Sequence, residues 1–234
     1  MNPKRAFLYY TANAIHETFA ESIRDHLLSL ASKTNATIVS VSQCPIDFGI
    51  NICVGKMGWS AWLVYWQILQ GARAIKELGI PWIYCCEDDS LYTLEHLTYQ
   101  PTENVFHYNM NRWILEAFNE SPAQFRWRDR ISMMGCAVST DLLIQTLEIK
   151  FERFPDPITE RYDPRLQGWG EPGRYERYLK LPRVGLTYFQ TSPIITFNHK
   201  KGLGGFRKAN EKDIIKKTLS PWGNAQTMWD CYHG

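Results

Sequence analysis

The sequence lacks most of the signatures that place a chain directly in a functional class. Its six cysteines form no CxxC pair, which argues against a zinc ribbon or a thioredoxin-type redox site. It contains neither a Walker phosphate loop nor the GxSxG element of serine hydrolases. There is also no internal repeat and no low-complexity linker. The function must therefore be sought in less familiar groupings of residues.

Long apolar runs are absent as well. No stretch reaches the roughly 18–20 apolar residues of a membrane-spanning helix, and the first residues show no signal-peptide pattern. Most of the cysteines lie in apolar contexts, as small core residues do in proteins of a reducing compartment. We therefore expect a soluble, cytoplasmic protein with no membrane span.

Composition favours one folded unit with aromatic residues to spare. A chain of 234 residues that is 44% hydrophobic can form one large α/β domain. Its nine Trp and twelve Tyr exceed what a core requires, and such rings also stack on bases and sugars. The net charge of +2 neither demands nor excludes a nucleic-acid partner. Residues 198–217 are locally basic, however, and face either phosphate or solvent.

Periodicity in the first 90 residues predicts alternating strands and helices. Apolar and β-branched runs are typical of strands, and the runs between them repeat at helical spacing. The predicted elements are strands at 5–10, 36–42 and 80–86, helices at 15–30 and 60–78, and a loop at 43–59. This β-α-β-α-β order implies parallel strands joined by right-handed crossovers.

The second half of the chain is less regular. Pro and Gly punctuate a long predicted loop, and a basic segment precedes an aromatic tail. The predicted elements are strands at 105–108, 131–138 and 192–197, a helix capped by Thr140, a loop at 154–173, and a basic helix after 198.

The most informative feature is a run of three acids after an apolar stretch. Residues 82–86 follow Pro81 and predict a buried strand. Glu87, Asp88 and Asp89 come at its carboxyl end, the edge at which open α/β sheets bind ligands. Adjacent carboxylates repel one another and resist leaving water, and Mg²⁺ or Mn²⁺ relieves both costs. We predict that Glu87 and Asp89 bind a metal while Asp88 points elsewhere; an Asp-rich solvated loop is the alternative.

Polar residues after the first two predicted strands form the expected walls of a ligand site. Amides and carboxylates at these strand ends bind bases or ribose hydroxyls, and a helix that opens after a Gly-containing loop offers N–H groups to phosphate. Asn13 equally suits the role of N-cap of the first helix. The candidate ligand-binding residues are Thr11, Asn13, Gln43, Asp47, Lys56 and Ser60.

A set of short motifs in a fixed order resembles a known family. Residues 42–45 (Ser-Gln-Cys-Pro), 87–92 (Glu-Asp-Asp-Ser-Leu-Tyr), His96 and 106–113 (Phe-His-Tyr-Asn-Met-Asn-Arg-Trp) carry the likeness. They resemble GT-A fold glycosyltransferases, and more narrowly a phage and bacterial branch similar to base J glucosyltransferases and phage enzymes that glycosylate hydroxymethylated pyrimidines in DNA. Asp88 departs from that branch, which often has His there.

The resemblance implies a fold and a division of labour. The fold is a GT-A-like (Rossmann-like) α/β single domain, with a mixed, mostly parallel sheet flanked by helices. Residues 1–92 would form the nucleotide-sugar-binding half. Residues 93–234 would form the acceptor half, with its basic and aromatic C-terminal segment.

The resemblance also implies a metal-dependent reaction with a UDP-sugar as donor. Mn²⁺ or Mg²⁺ would be held by Glu87, Asp89 and His199, because many GT-A enzymes complete the metal site with a late histidine. A surface histidine in a basic stretch is the alternative. Basic neighbours would offset the charge of the departing diphosphate. The donor-binding residues assigned in this way are Asp88, Lys200 and Lys201, with Arg207 close by.

Residues 168–173 (Gly-Trp-Gly-Glu-Pro-Gly) resemble an element of inverting GT-A galactosyltransferases in which an acid accepts the proton of the acceptor. On that likeness Glu171 is the predicted catalytic base and Trp169 an aromatic wall for the sugar. Asp89, through its role at the metal, is the second predicted catalytic residue. The acid comes one place early, so a structural loop is the alternative. Further candidates in the same loop are Glu160 and Asp163.

The implied acceptor is a 5-hydroxymethylpyrimidine in double-stranded phage DNA, reached in the major groove or after base flipping. The cytoplasm would then be that of the host cell. Arg112, Trp113 and Arg207 are the predicted acceptor contacts, with residues 126–128 beside them. The alternatives are a transferase acting on a glycan or polysaccharide, and a noncatalytic nucleic-acid-binding protein on a transferase fold.

Overall fold

The computed structural model describes residues 4–58, 60–117, 121–156, 170–198 and 214–233. Within those ranges, no helix is both long enough and apolar enough to cross a membrane. The strands are β1 (Arg5–Thr11), β2 (Thr37–Ser42), β3 (Ile50–Cys53), β4 (Trp82–Glu87), β5 (Ser90–Leu91), β6 (Phe106–Asn109), β7 (Arg112–Glu116), β8 (Gln124–Trp127), β9 (Cys136–Ser139), β10 (Leu186–Phe189), β11 (Ile194–Phe197), β12 (Ile215–Lys216), β13 (Thr218–Leu219) and β14 (Gly223–Asn224). The helices are α1 (Glu17–Thr34), α2 (Ala61–Glu77), α3 (Leu94–Thr98), α4 (Thr140–Arg153), α5 (Glu176–Leu179) and α6 (Ala225–His233).

The main sheet has the strand order β10-β6-β9-β4-β1-β2-β3. β1 runs parallel to β2 and β4, β2 to β3, and β10 to β6. Only β9, among the described strands of this sheet, is antiparallel to its neighbours β4 and β6. The predicted mixed, mostly parallel α/β architecture is confirmed.

Both faces of the main sheet are covered, which explains why its inner strands are apolar throughout. Leu8 of β1 belongs to the core under α2, whereas Phe7 and Tyr9 belong to the core under α1. α2 lies so close to the sheet that a Cβ added at Gly71 would come within 2.2 Å of Leu8 Cδ1. A glycine is therefore needed where the helix crosses the strands.

A second sheet has the order β12-β8-β7-β11-β5 and packs into the core under α1. Its strand β5 follows the three acids directly and pairs antiparallel with β11. Inside this sheet Arg126 Nε and Nη2 donate to the two Glu116 carboxylate oxygens at 2.8 and 2.6 Å. Both side chains are buried, at 2% and 0% exposure. Of this sheet only β11 was predicted, within the strand at 192–197. β7 and β8 were not predicted, because they bury charged residues.

Several predicted elements differ from the structure. The predicted loop at 43–59 contains β3, which extends the main sheet at its edge. The predicted strand at 131–138 is a 3₁₀ turn followed by β9. The basic helix predicted after 198 is wrong at its described end, where β12 forms. The rest of that segment lies outside the described residues.

Two helix caps were also assigned wrongly. α1 begins at Glu17 with His16 as its N-cap, so Asn13 does not cap it. Thr140 is the first residue of α4, and the Oγ of Ser139 accepts the capping hydrogen bond. Asn13 instead adopts a left-handed backbone conformation with φ of 52°, and its side chain serves the neighbouring loop.

Candidate active site

The acids at 87–89 lie where the parallel strands of the main sheet end. β4 ends at Glu87, which stands beside Tyr10 of β1 in the strand register. Tyr10 OH donates to Glu87 Oε1 at 3.1 Å, and Thr11 Oγ1 donates to Asp88 Oδ2 at 2.5 Å. The end of β1 therefore holds two of the three carboxylates, as the strand-end rule predicts.

Asp89 is held from the opposite side, by the second sheet. Ser90 Oγ donates to Asp89 Oδ1 at 2.9 Å, and the Phe197 N–H donates to the Asp89 carbonyl at 2.8 Å. This backbone bond ties the acids to the end of β11. The chain then continues through Asn198 to His199, which lies outside the described residues.

Electrostatics at Glu87 are unfavourable for its charge. Burial raises the pKa of Glu87 to about 8, and repulsion from Asp89 adds to this effect. The opposing influences are the charge of Arg112 and the hydrogen bond from Tyr10. A carboxylate that is both desolvated and crowded is stabilised by a nearby cation.

A complete metal site is not formed by the described residues alone. No group of three or more His, Cys, Asp or Glu side chains in the described ranges is arranged to hold a metal ion. The oxygen donors of Glu87 and Asp89 nevertheless suit Mg²⁺ or Mn²⁺. Their role as metal ligands, with His199 as the third, stays a prediction.

The segment around Glu171 is anchored at three points. Lys150 Nζ of α4 donates to the Gly170 carbonyl at 2.7 Å, and Tyr108 OH of β6 donates to the Pro172 carbonyl at 3.0 Å. The Glu171 carboxylate pairs with Arg174 Nη1 at 3.2 Å. The predicted base therefore sits on a fixed backbone.

Arg112 connects the two predicted parts of the site. Burial, together with the nearby charge of Arg130, lowers the pKa of this arginine to about 10. Glu87 and Glu171 oppose that shift, so both acids lie within electrostatic range of one guanidinium. Residues 87 and 171, far apart in the sequence, thus both lie near Arg112.

The predicted acceptor contacts at 112 and 113 are buried rather than displayed. Trp113 is 5% exposed, and its Nε1 donates to Asn111 Oδ1 at 2.9 Å. Arg112 is 4% exposed. Neither side chain is exposed enough to contact the outside of a DNA duplex. Arg126 forms a buried ion pair with Glu116.

The predicted donor-binding residues at 13 and 43 shape the loops at the strand ends. Asn13 Oδ1 accepts from the N–H groups of Gln43 and Cys44 at 2.8 and 2.9 Å. The Gln43 side chain accepts from the Met57 N–H at 2.8 Å and donates to the Gly58 carbonyl. Both polar ends of Gln43 therefore hold the loop that precedes α2.

The other two candidates lie at the start of α2. Ser60 caps this helix, its Oγ accepting from the Leu63 N–H at 3.2 Å. Lys56 is exposed on the preceding loop. The proposed donor contacts of both residues stay predictions.

A cavity of about 580 Å³ opens between α1 and the segment after β2. Asn13 and Asp47, both predicted as ligand contacts, are among the residues that line it. The charged lining residues are Glu17, Glu21, Arg24, Asp25 and Asp47. With four carboxylates against one guanidinium, this cavity favours hydroxyl or N–H groups over phosphate.

Some residues important to this geometry were missed from the sequence. Lys150 shares a helical face with Leu143 and Leu147, and that spacing alone indicates a lysine facing the core. Arg130 gave no comparable signal. The predicted site residues Trp169, His199, Lys200, Lys201 and Arg207, and the further candidates Glu160 and Asp163, lie outside the described residues.

No family model and no curated protein sequence matches this chain. Among solved structures, a glycosyltransferase involved in glycosylation of the major capsid of PBCV-1 is similar at 14% identity, over 80% of this chain and 82% of that one, with a TM-score of 0.46. The catalytic domain of Drosophila β1,4-galactosyltransferase 7 in complex with xylobiose is similar at 11% identity, over 80% of this chain and 64% of that one, with a TM-score of 0.41. A mutant of the same Drosophila enzyme, in complex with manganese, UDP-Gal and xylobiose, is similar at 11% identity, over 79% of this chain and 64% of that one, with a TM-score of 0.42.

At these identities and TM-scores the likeness is too distant to assign the chain to a family. The chain also spans less than two thirds of the two Drosophila structures.

Proposed function

We propose that this protein is a metal-dependent glycosyltransferase that moves a sugar from a UDP-sugar to an acceptor hydroxyl. The observation that carries the proposal is the group of acids at the end of β4, where Glu87 and Asp88 are held by the end of β1. A transferase needs one carboxylate where the diphosphate departs and another where the acceptor loses its proton. Glu87 and Glu171, which both act electrostatically on Arg112, are the proposed pair. The motif likeness at 87–92 supports the class of donor.

On this proposal Glu87 and Asp89 hold Mn²⁺ or Mg²⁺. The cation, when bound, supplies positive charge that makes the diphosphate a better leaving group. The chain's own part is orientation: Tyr10 positions the Glu87 carboxylate, and Ser90 positions that of Asp89. His199 would add a nitrogen ligand.

Glu171 is the proposed base. Because Lys150 and Tyr108 fix the backbone on both sides of it, its carboxylate can be presented to an acceptor hydroxyl without a large loss of conformational freedom. It would accept the hydroxyl proton as the oxygen attacks the anomeric carbon. The Gly-Trp-Gly-Glu likeness at 168–171 supports in-line attack with inversion.

The proposed acceptor is a 5-hydroxymethylpyrimidine in double-stranded DNA, supported by the motif resemblance and the basic stretch at 198–217. Burial of Arg112, Trp113 and Arg126 favours a second candidate, a glycan hydroxyl, because it removes three of the side chains expected to contact DNA. Residues 1–92 would serve mainly the donor and residues 93–234 mainly the acceptor.

A donor and acceptor panel tests the proposal. Wild-type protein with Mn²⁺ is offered several UDP-sugars, together with hydroxymethylated DNA, plain DNA or oligosaccharides, and products are read by mass spectrometry. We expect Mn²⁺-dependent release of UDP that falls at least about 100-fold in Glu171→Gln, the scale of a lost general base. Glycosylated nucleosides would establish DNA as the acceptor, and extended oligosaccharides would establish a glycan. Binding of DNA without turnover of any donor would instead favour a noncatalytic protein.

A further inference from the structure

Arg112 is a buried cation that leaves two of its side-chain nitrogens without a hydrogen-bond partner in the described part of the chain. It opens β7, and only 4% of its surface is exposed. Its Nε and Nη2 atoms are buried and find no hydrogen-bond partner among the described residues. Removing a guanidinium from water without replacing its hydration costs free energy, so a fold keeps such a group only at a cost to stability.

A second arginine is held close to it. Arg130 lies near enough for its charge to disfavour that of Arg112, and the Nε of Arg130 is likewise buried without a partner in the described structure. Backbone bonds fix this proximity: the Arg128 N–H donates to the Arg112 carbonyl at 3.0 Å, and the Arg130 N–H donates to the Arg128 carbonyl at 2.9 Å. The fold thus places two positive charges, Arg112 and Arg130, close together, and both have buried N–H groups without a partner among the described residues.

The neighbouring acids do not satisfy these donors. Glu87 accepts from Tyr10, and Glu171 pairs with Arg174. Asp129, between the arginines of the segment after β8, is exposed. Within the described structure, an anion that accepts hydrogen bonds from these N–H groups would complete the arrangement.

We propose that Arg112 and Arg130 form a subsite for a phosphate group of the nucleotide-sugar donor, a ligand whose identity rests on the proposed function. Guanidinium groups bind phosphate oxygens through paired N–H donors. The space between a metal-binding acid and a base is where the leaving diphosphate must lie. The cavity beside Asn13, lined by four carboxylates, is less suited to phosphate. Arg112 therefore contacts the donor rather than the acceptor.

Thermal unfolding without metal tests this subsite directly. Wild type, Arg112→Met and the control Arg73→Met are heated in EDTA with inorganic pyrophosphate, UMP or UDP at matched ionic strength. Arg73 is a suitable control because it is half exposed and pairs with Glu148 on the surface of α2 and α4. We expect pyrophosphate and UDP to raise the wild-type and Arg73→Met midpoints, and UMP to raise them less.

The Arg112→Met variant should bind pyrophosphate about 10- to 100-fold more weakly, the scale of a lost hydrogen bond to a charged group. Its ligand-free midpoint should not fall, because the substitution removes an unpaired buried charge. Arg130→Met, at a less buried position, is the second variant and should weaken binding in the same direction.

Three results would overturn the subsite. One is an equal response of wild type and Arg112→Met, the second is no response of wild type to pyrophosphate, and the third is Arg112-dependent binding of pyrophosphate but not of UDP. UDP-sugar turnover is measured in parallel. Turnover that survives in Arg112→Met refutes the subsite while leaving the proposed function intact, and Arg112-dependent UDP binding with no turnover of any donor refutes the function instead.

Discussion

Replacing Lys150 by Met tests whether a buried charge holds the loop of the proposed base. Lys150 Nζ donates to the Gly170 carbonyl and lies 5.4 Å from the centre of the Tyr65 ring. Burial lowers the pKa of this lysine from 10.5 to about 8, although Glu176 and Glu171 oppose the shift. At about 1.4 kcal/mol for each pH unit, keeping the ammonium charged inside the fold costs roughly 3 kcal/mol.

This cost has a defined pH dependence. Below about pH 8, Lys150 is protonated in both the folded and the unfolded chain, so the full cost is present. Between about pH 8 and 10.5 the folded protein releases the proton while the unfolded chain keeps it, and stability from this group rises with pH. Wild type should therefore gain up to roughly 3 kcal/mol relative to Lys150→Met across that window.

Urea unfolding of both proteins from pH 7 to 10.5 measures the effect, and other titrating groups cancel in the difference. At pH 7 the methionine variant should be about as stable as wild type, because removal of the buried charge offsets the lost hydrogen bond of about 1–3 kcal/mol. Its turnover should still fall, since Gly170 is released. Lys76→Met, at an exposed position paired with Asp141, is the control and should show no such pH trend. A constant difference between wild type and Lys150→Met from pH 7 to 10.5 would show that folding does not lower the pKa of Lys150.

The other predictions concern stability and are read from urea unfolding. Burial lowers the pKa of His96 to about 3, so below pH 6.5 the unfolded chain binds a proton at this residue that the folded chain does not bind. The free energy of unfolding of wild type should therefore fall by about 1.4 kcal/mol per pH unit relative to that of His96→Phe from pH 6 to 4. Parallel pH profiles of the two proteins would contradict this. Gly71→Ala should lower the free energy of unfolding by about 1–3 kcal/mol, because its new methyl group would lie 2.2 Å from a leucine of β1. Glu77→Ala, at the exposed end of the same helix, is the control and should change stability by less than about 0.5 kcal/mol. Equal effects of the two substitutions would show that the close approach of the helix to the sheet is unimportant. Glu116→Ala should lower the free energy of unfolding by about 3–5 kcal/mol, because it leaves Arg126 buried without its carboxylate. The double variant Glu116→Leu with Arg126→Met should recover most of that loss. A double variant as unstable as the single one would show that the ion pair itself stabilises the fold.

The first half of the fold could be predicted because its signals are local. The strands at β1, β2 and β4 are apolar runs buried on both faces, and α2 repeats its apolar residues at helical spacing. Such patterns need no knowledge of distant residues.

Apart from β11, the second sheet was not predicted, because its strands β7 and β8 are stabilised by distant partners. β7 begins with a buried arginine and ends with Glu116, whose charge is acceptable only because Arg126 arrives from β8. The role of Asn13 was predicted wrongly for a similar reason. Its side chain accepts hydrogen bonds from Gln43 and Cys44, which follow it by 30 and 31 residues in the chain. Local rules assigned it to the nearest helix instead.

The candidate site divides in the same way. The three consecutive acids and their position at a strand end follow from sequence alone. The position of Glu171 near Arg112 does not, because it depends on the anchoring of residues 170–172 by α4 and β6. A lysine on an apolar helical face was the one readable signal of that anchoring.

Binding of Mn²⁺ in the presence of UDP shows whether the acids after β4 hold a metal ion. Electron paramagnetic resonance counts free Mn²⁺ in solutions of wild type, Asp89→Asn and the exposed control Asp141→Asn. We expect wild type and the control to bind Mn²⁺ together with UDP, and Asp89→Asn to bind it at least about tenfold more weakly, because a charged ligand is lost. Equal Mn²⁺ binding by wild type and Asp89→Asn would show that Asp89 is not a metal ligand.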